Sequence, residues 1–309
     1  MQIRKSYMLV LTLLAILSLA FVGCGGDAEE GAPAQESQET EQAEAQESAA
    51  AEQSDFDTDY EDGVYFAQED GFNERTGWKY MATLVVENGE IVEAEWNGAH
   101  LENGTDKITR SESGEYGMVD KSDAQWPWYE QAARAEEYLL ETQDPTQITY
   151  TDEQGHTDAI SSVSIHVVEF FDLAEEALSG DPSGYGMWQD GTYYAEADSF
   201  SQSGWKDAVS LTVVSGYIVA ANWDPIAEDG GTNKKQRSME GEYGMMENSP
   251  AQWPWWEQAR AAEQYLMEVQ DPAAIELNES GVADAVSGAT IHIDGFLAVV
   301  EKALEGARR

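Results

Sequence analysis

The 309-residue chain carries 60 Asp and Glu against 16 Lys and Arg, a formal net charge of -44 at pH 7. Such a field repels nucleic acid and anionic lipid surfaces, so no nucleic acid is expected as a partner. A single cysteine excludes disulfides and multi-cysteine metal sites.

The chain opens with Arg4 and Lys5, then an apolar run from Met8 to Val22 that ends at Gly23-Cys24. A basic start, a short apolar core and small residues at the break describe a signal peptide, residues 1–23, rather than a membrane span. Cys24 directly after this run resembles the lipobox of bacterial lipoproteins, with Phe21 in the place usually held by Leu. The resemblance implies that Cys24 is acylated and becomes the mature N-terminus, which places the protein outside the cytoplasm and anchors it to the membrane through lipid. Residues 24–59 are rich in Ala, Glu, Gln and Ser and carry no Lys or Arg. A segment with so little apolar surface is expected to stay disordered, and self-repulsion extends it into an acidic tether.

The remainder consists of two homologous halves, 60–180 and 186–309. Asp62-Gly63 matches Asp190-Gly191, Gly114-Glu115-Tyr116-Gly117-Met118 matches Gly241-Glu242-Tyr243-Gly244-Met245, and Ala124-Gln125-Trp126-Pro127-Trp128 matches Ala251-Gln252-Trp253-Pro254-Trp255. The repeat is too long for a solenoid unit and indicates a duplicated domain.

In each copy an alternating apolar pattern predicts a hairpin, Trp78 to Trp96 turning at Asn88-Gly89 and Trp205 to Trp223 turning at Ser215-Gly216. Residues 97–123 and 224–250, poor in apolar side chains, are expected to be loop. A helix is expected from Trp126-Pro127 and from Trp253-Pro254, ending at Asp144-Pro145 and Asp271-Pro272. A short strand is expected at Ile148-Thr149-Tyr150, then a loop and a last helix. This order predicts an α+β fold, two tandem repeats of a small antiparallel sheet packed with helices.

Ahead of the last helix stands Asp284-Ala285-Val286-Ser287-Gly288-Ala289-Thr290. The apolar spacing of Ile293, Phe296, Leu297, Val300 and Leu304 places Thr290 near a helix N-cap, where a phosphate would meet unpaired N–H groups and the positive end of the dipole. Small Ser287, Gly288 and Ala289 leave the hydroxyl open, and Asp284 is placed to orient the loop. An ordinary N-cap threonine is the plainer alternative.

The segment resembles the flavinylation motif of the FMN-binding domain family, in which Asp, two residues, Ser or Thr, Gly and a small residue precede the acceptor hydroxyl. The resemblance covers both copies and implies covalent FMN, phosphoester-linked to Thr290 by a separate Mg-dependent FMN transferase. It further implies an extracytoplasmic electron carrier fed by a membrane quinol or dehydrogenase and emptied by a redox acceptor. Copy one has Asp158, Ser161, Ser162, Val163 and Ser164 at the corresponding positions, so the glycine is lost and a branched side chain precedes the hydroxyl. Ser164 is a second candidate acceptor, with an N-cap role the preferred reading. Trp253, Trp255 and Tyr243 are candidates to contact the isoalloxazine ring, although most tryptophans are expected to fill the core.

His166 and His292 each follow the acceptor position by two residues, and an incidental place is preferred for both. No metal cluster, haem motif or hydrolase elbow is present, so no catalytic residue is assigned. The acidity either steers cationic redox partners or reflects a saline medium; its spread over tether and both copies favours the second. The competing functional classes are a lipid-tethered solute-binding or adhesive module without redox activity, and a flavin reductase acting on a soluble substrate.

Overall fold

The computed structural model describes residues 58–309 apart from Asn103, Pro250 and Ser287. The expected leader, Cys24 and the acidic tether up to residue 57 lie outside the described residues. The fold is α+β. Two three-stranded antiparallel sheets, one in each copy, pack against helices. No helix among the described residues is long and apolar enough to cross a membrane.

The first copy begins with β1 (Gly63–Gln68), β2 (Trp78–Glu87) and β3 (Glu90–His100). Asn88 and Gly89 both take positive φ, 56° and 79°, the two left-handed residues that a tight hairpin turn needs. Asp62 Oδ1 accepts the Gly89 N–H at 2.9 Å, and in the second copy Asp190 Oδ1 accepts the Gly216 N–H at 2.7 Å. The repeated Asp-Gly pair is therefore a clamp on the hairpin turn.

Residues 97–123 are not wholly loop. Two short helices occupy them, α1 (Lys107–Glu112) and α2 (Met118–Lys121). Each is too short to show a period; the readable signal is Asp106, whose Oδ1 caps α1 by accepting the Thr109 N–H at 3.0 Å.

The long helix α3 (Trp128–Thr142) buries Trp128, Gln131, Ala132, Ala135 and Leu139, one face at helical spacing. It starts at Trp128 rather than at the expected Trp126-Pro127, with Pro127 extended as its N-cap. Gln143, left-handed at φ 60°, ends it. Its side chain then accepts the Ile91 N–H at 2.7 Å and donates to the Ile91 carbonyl at 3.0 Å, satisfying backbone groups of β3. Asp144 caps a single 3-10 turn, Pro145–Gln147, through the Thr146 N–H at 2.9 Å. The expected strand at Ile148-Thr149-Tyr150 does not form: the segment is extended but has no ladder partner, and only Ile148 of its three side chains is buried. The copy closes with α4 (Val168–Leu178).

The second copy repeats this order: β4 (Gly191–Glu196), β5 (Trp205–Lys206), β6 (Ala208–Val214), β7 (Tyr217–Trp223), β8 (Ile226–Ala227), α5 (Lys234–Met239), α6 (Met245–Asn248), α7 (Trp255–Val269) and α8 (Asp294–Ala303). The last of these corrects one expectation. Helix α8 begins at Asp294 with Ile293 as its N-cap, so Thr290 lies in the preceding loop and not at the helix start. Ile291 and Ile293 are buried while His292 between them is exposed, an alternation typical of extended chain.

The sheets are buried on both faces. Leu84 and Val86 point into the helix-side core of copy one, while Met81 joins Ala99, Val214, Val219 and Ala220 in a separate cluster where the two sheets meet. Thr83 Oγ1 and Ser215 Oγ share a 2.6 Å hydrogen bond there, and Phe66 stacks on Tyr217 at 4.5 Å. Two-sided burial explains why β2 and β6 are nearly continuous in apolar residues.

One buried acid distinguishes the copies. Glu136 Oε1 accepts the Trp96 N–H at 2.7 Å, and burial pushes its carboxyl up to about 7 from an ordinary 4.5. The folded protein then holds this proton where the unfolded chain releases it. The associated stability is complete below the unfolded value near 4.5 and is lost as pH rises through about 7. Glu136→Gln keeps the acceptor and removes the charge. It is expected to stabilise the protein by on the order of 2 kcal/mol at pH 8, fading towards acid pH, in urea unfolding across that range.

Candidate functional site

The motif loop of copy two is held at both ends. Asn278 Oδ1 accepts the Ser280 and Val282 N–H groups at 2.9 and 3.2 Å, and its Nδ2 donates to Asp284 Oδ1 at 2.7 Å. Asp284 thus braces the turn ahead of Thr290. Ala283 and Val286 are buried in the core. Beyond them Gly288 and Thr290 are exposed, with Ala289 half-buried between them, and Ser287 lies outside the described residues.

Thr290 is fixed by a residue 32 positions earlier. Its N–H and its hydroxyl both donate to Gln258 Oε1, at 2.7 and 3.2 Å. Gln258, on α7, is 0% exposed, and its Nε2 donates to the Trp253 carbonyl at 2.7 Å. One buried amide therefore ties the helix start to the loop that carries Thr290. The hydroxyl thus donates inward from an exposed residue. An amide carbonyl is no general base, so this arrangement positions the hydroxyl without activating it.

Gly288 takes φ +78°, and a Cβ there would lie 2.4 Å from the Trp253 ring. Both observations favour glycine at this position. Trp253 is 40% exposed beside the loop. Trp255, by contrast, is a core residue, edge-on to Trp223 at 4.9 Å, and Tyr243 is half-buried at the core's margin, 6.0 Å from Trp205. Of the three aromatic candidates the structure brings only Trp253 against the motif.

Gly288→Ala is expected to cost about 1–2 kcal/mol from the left-handed backbone alone, measured by urea unfolding. Adding Trp253→Ala should return only what the ring contact contributes.

Copy one repeats the scaffold. Ser164 N–H and hydroxyl donate to Gln131 Oε1 at 2.7 and 3.2 Å, and Gln131 Nε2 donates to the Trp126 carbonyl at 2.7 Å. Two features differ. Ser162 occupies the glycine position at φ 64°, a strained conformation for a residue with a side chain. Arg134 lies over the Trp126 ring at 4.7 Å, whereas Ala261 stands at its place in copy two and leaves Trp253 without a guanidinium cover.

Each copy also sinks a lysine into an aromatic cage. Lys107 lies 4.4 to 4.9 Å from the ring centroids of Trp78, Tyr80, Tyr116 and Trp128 and donates to the Tyr80 hydroxyl. Burial lowers it to about 7. In copy two Lys234 faces Trp255 at 4.6 Å and Tyr243 at 5.0 Å, lowered by burial to about 8 against the opposing charge of Asp207. Above Lys107 opens a cavity of about 390 Å³ that His166 and Glu169, hydrogen-bonded at 2.8 Å, also line. That contact raises the His166 pKa. His292, the counterpart in copy two, is exposed. Among the described residues no group of three His, Cys, Asp or Glu side chains is placed to hold a metal ion.

No protein-family model and no curated protein matches the chain. Two solved structures are similar to parts of it. A solution NMR structure of a Clostridium thermocellum protein shares 47% identity, covering 40% of this chain and 97% of that one, with a TM-score of 0.33. A crystal structure of a Clostridium perfringens protein shares 25% identity, covering 39% of this chain and 89% of that one, with a TM-score of 0.28.

Sequence reasoning passes over Gln131 and Gln258 because their partner is remote in the chain. The usable signal is that each stands five residues after Trp126 or Trp253 on the buried face of a helix, where a lone amide needs partners. Lys107 and Lys234 carry a comparable signal, a lysine at the same position in both copies.

Proposed function

We propose that this protein is an extracytoplasmic, lipid-anchored electron carrier with FMN attached covalently to Thr290. The observation that carries the reading is the hydroxyl of exposed Thr290, held by buried Gln258 beside a left-handed glycine packed against the Trp253 ring. The residues present suit a bulky phosphoester. The hydroxyl lies at the surface, Gly288 and Ala289 are small, and the indole of Trp253 borders the loop without a cation stacked on it.

FMN supplies one- and two-electron redox chemistry when bound, and the protein supplies its position and its electrostatic surroundings. Gln258 fixes the acceptor oxygen. Asp284, engaged with Asn278, maintains the loop rather than drawing a proton from Thr290. The chemistry of attachment accordingly belongs to a separate FMN transferase. A covalent tether suits a protein outside the cytoplasm, where a dissociated cofactor is lost by diffusion. Electrons would enter from a membrane quinol or dehydrogenase and leave to an acceptor at the envelope or beyond it.

The test is to produce the full chain together with an FMN transferase and record its visible spectrum and intact mass. A flavin absorbance that survives denaturation, with a mass gain of one FMN less one water, is expected. A colourless protein of unmodified mass would leave a passive solute-binding or adhesive lipoprotein as the better reading.

A further inference from the structure

We propose that the cleft between the two copies is a binding site for a small organic carboxylate, with Lys79 and Arg260 as the cations that anchor it beside Arg75 in the lining. The cleft measures about 740 Å³ and is lined by both copies, Lys79 and Phe72 from the first and Arg260 and Met267 from the second.

Lys79 is 4% exposed and makes no hydrogen bond or ion pair to any described residue; its ammonium lies 5.1 Å from the Phe72 ring centroid. The second copy shows how the same position is ordinarily satisfied. There Lys206 pairs with Glu196. Copy one has Gln68 at the position of Glu196, and the neighbouring acid, Glu69, accepts the Tyr80 N–H at 2.7 Å, so Lys79 faces the cleft without a paired carboxylate. Burying an ammonium without a partner is costly, and the lysine is accordingly lowered to about 8 by burial.

Arg260 supplies a second, independent sign of a missing anion. Its Nε is buried and has no hydrogen-bond partner. Copy one has Ala133 at this position, so the guanidinium is particular to the cleft side of copy two. Glu263, which also lines the cleft, is engaged by Lys235 at 2.6 Å and feels the Arg260 charge without hydrogen-bonding to it.

The shape of the anion follows from the rest of the lining. Phe72 and Met267 offer apolar and polarisable contact. Asp70, Glu74 and Glu102 also line the cleft, and with a net charge of -44 they disfavour a polyanion. A compact monoanion with an aromatic or aliphatic body satisfies both cations while adding least repulsion.

Isothermal titration of the full chain with sodium benzoate tests the site, with benzylamine as the cation of similar shape and inorganic phosphate as the anion without an apolar body. Benzoate is expected to bind one to one, and Lys79→Met and Arg260→Ala each to weaken it by about tenfold or more. Lys79→Met should not lower the urea midpoint, since it removes an unpaired buried charge. Arg260→Ala introduces the residue that copy one carries and reports on the same site if the first variant folds poorly. Absence of benzoate binding, equal binding by both variants, or binding of benzylamine or phosphate as tight as benzoate would overturn the proposal.

Discussion

Thr290→Ala should eliminate covalent flavin entirely, while Ser164→Ala leaves the flavin content of the full chain unchanged. The two hydroxyls share one scaffold, each bonded to a buried glutamine at 3.2 Å. What separates them is the approach. Gly288 gives the second copy a left-handed residue with no side chain, whereas Ser162 and half-buried Val163 crowd the first. Thr290→Ser should therefore still be loaded, because it keeps the oxygen and the bond to Gln258. Flavin retained in Thr290→Ala, or halved in Ser164→Ala, on denaturing gels viewed by flavin fluorescence, would show that the assignment of copy two as the sole carrier is wrong.

Lys235→Met should destabilise the fold by about 3–5 kcal/mol near pH 8, the usual consequence of removing one partner from a buried ion pair. Lys235 Nζ lies 2.6 Å from Glu263 Oε1 and 2.6 Å from Asn222 Oδ1. Without it the carboxylate keeps the Trp223 N–H, at 2.6 Å, and the more distant charge of Arg260. Burial already pulls the Glu263 pKa upward while the lysine opposes the shift. Once the lysine is gone, the acid should take up a proton more readily, so the loss should shrink as pH falls.

Copy one supplies the comparison. Ile108 stands at the lysine position and Glu136 titrates near 7. The double variant Lys235→Met, Glu263→Gln should recover most of the stability. Urea midpoints at pH 8 and pH 5 measure all three effects, and a single variant as stable as the parent at pH 8 would contradict the account.

Local signals made much of the fold legible. Asn88-Gly89 and Ser215-Gly216 sit where left-handed turns are needed, and the helix faces beginning at Trp128 and Trp255 follow a clear period. The errors arise where an apolar pattern has more than one solution. Ile293 fits the helical spacing of Phe296 and Val300, yet it is buried from an extended approach and the helix starts one residue later. Thr290 consequently loses the expected proximity to the helix dipole, and its positioning comes from Gln258 instead. Ile148 has the apolar character of a strand residue but no neighbour to pair with.

The site was legible only in part for a related reason. Asp284, Gly288 and Thr290 are adjacent in sequence, and their local roles follow from residue type. The Gln258 amide and the Trp253 ring reach the loop through tertiary packing, which no local window reveals. The cleft between the copies depends on differences between equivalent residues, Lys79 against Lys206 and Arg260 against Ala133, and these gain meaning only once partners are visible.

The most direct test of the central claim is peptide mapping by mass spectrometry of the protein isolated from its native host. The peptide containing Thr290 should carry FMN less one water, located at that residue by fragmentation, and the peptide containing Ser164 should be unmodified. An unmodified Thr290 peptide from cells with an active FMN transferase would contradict it.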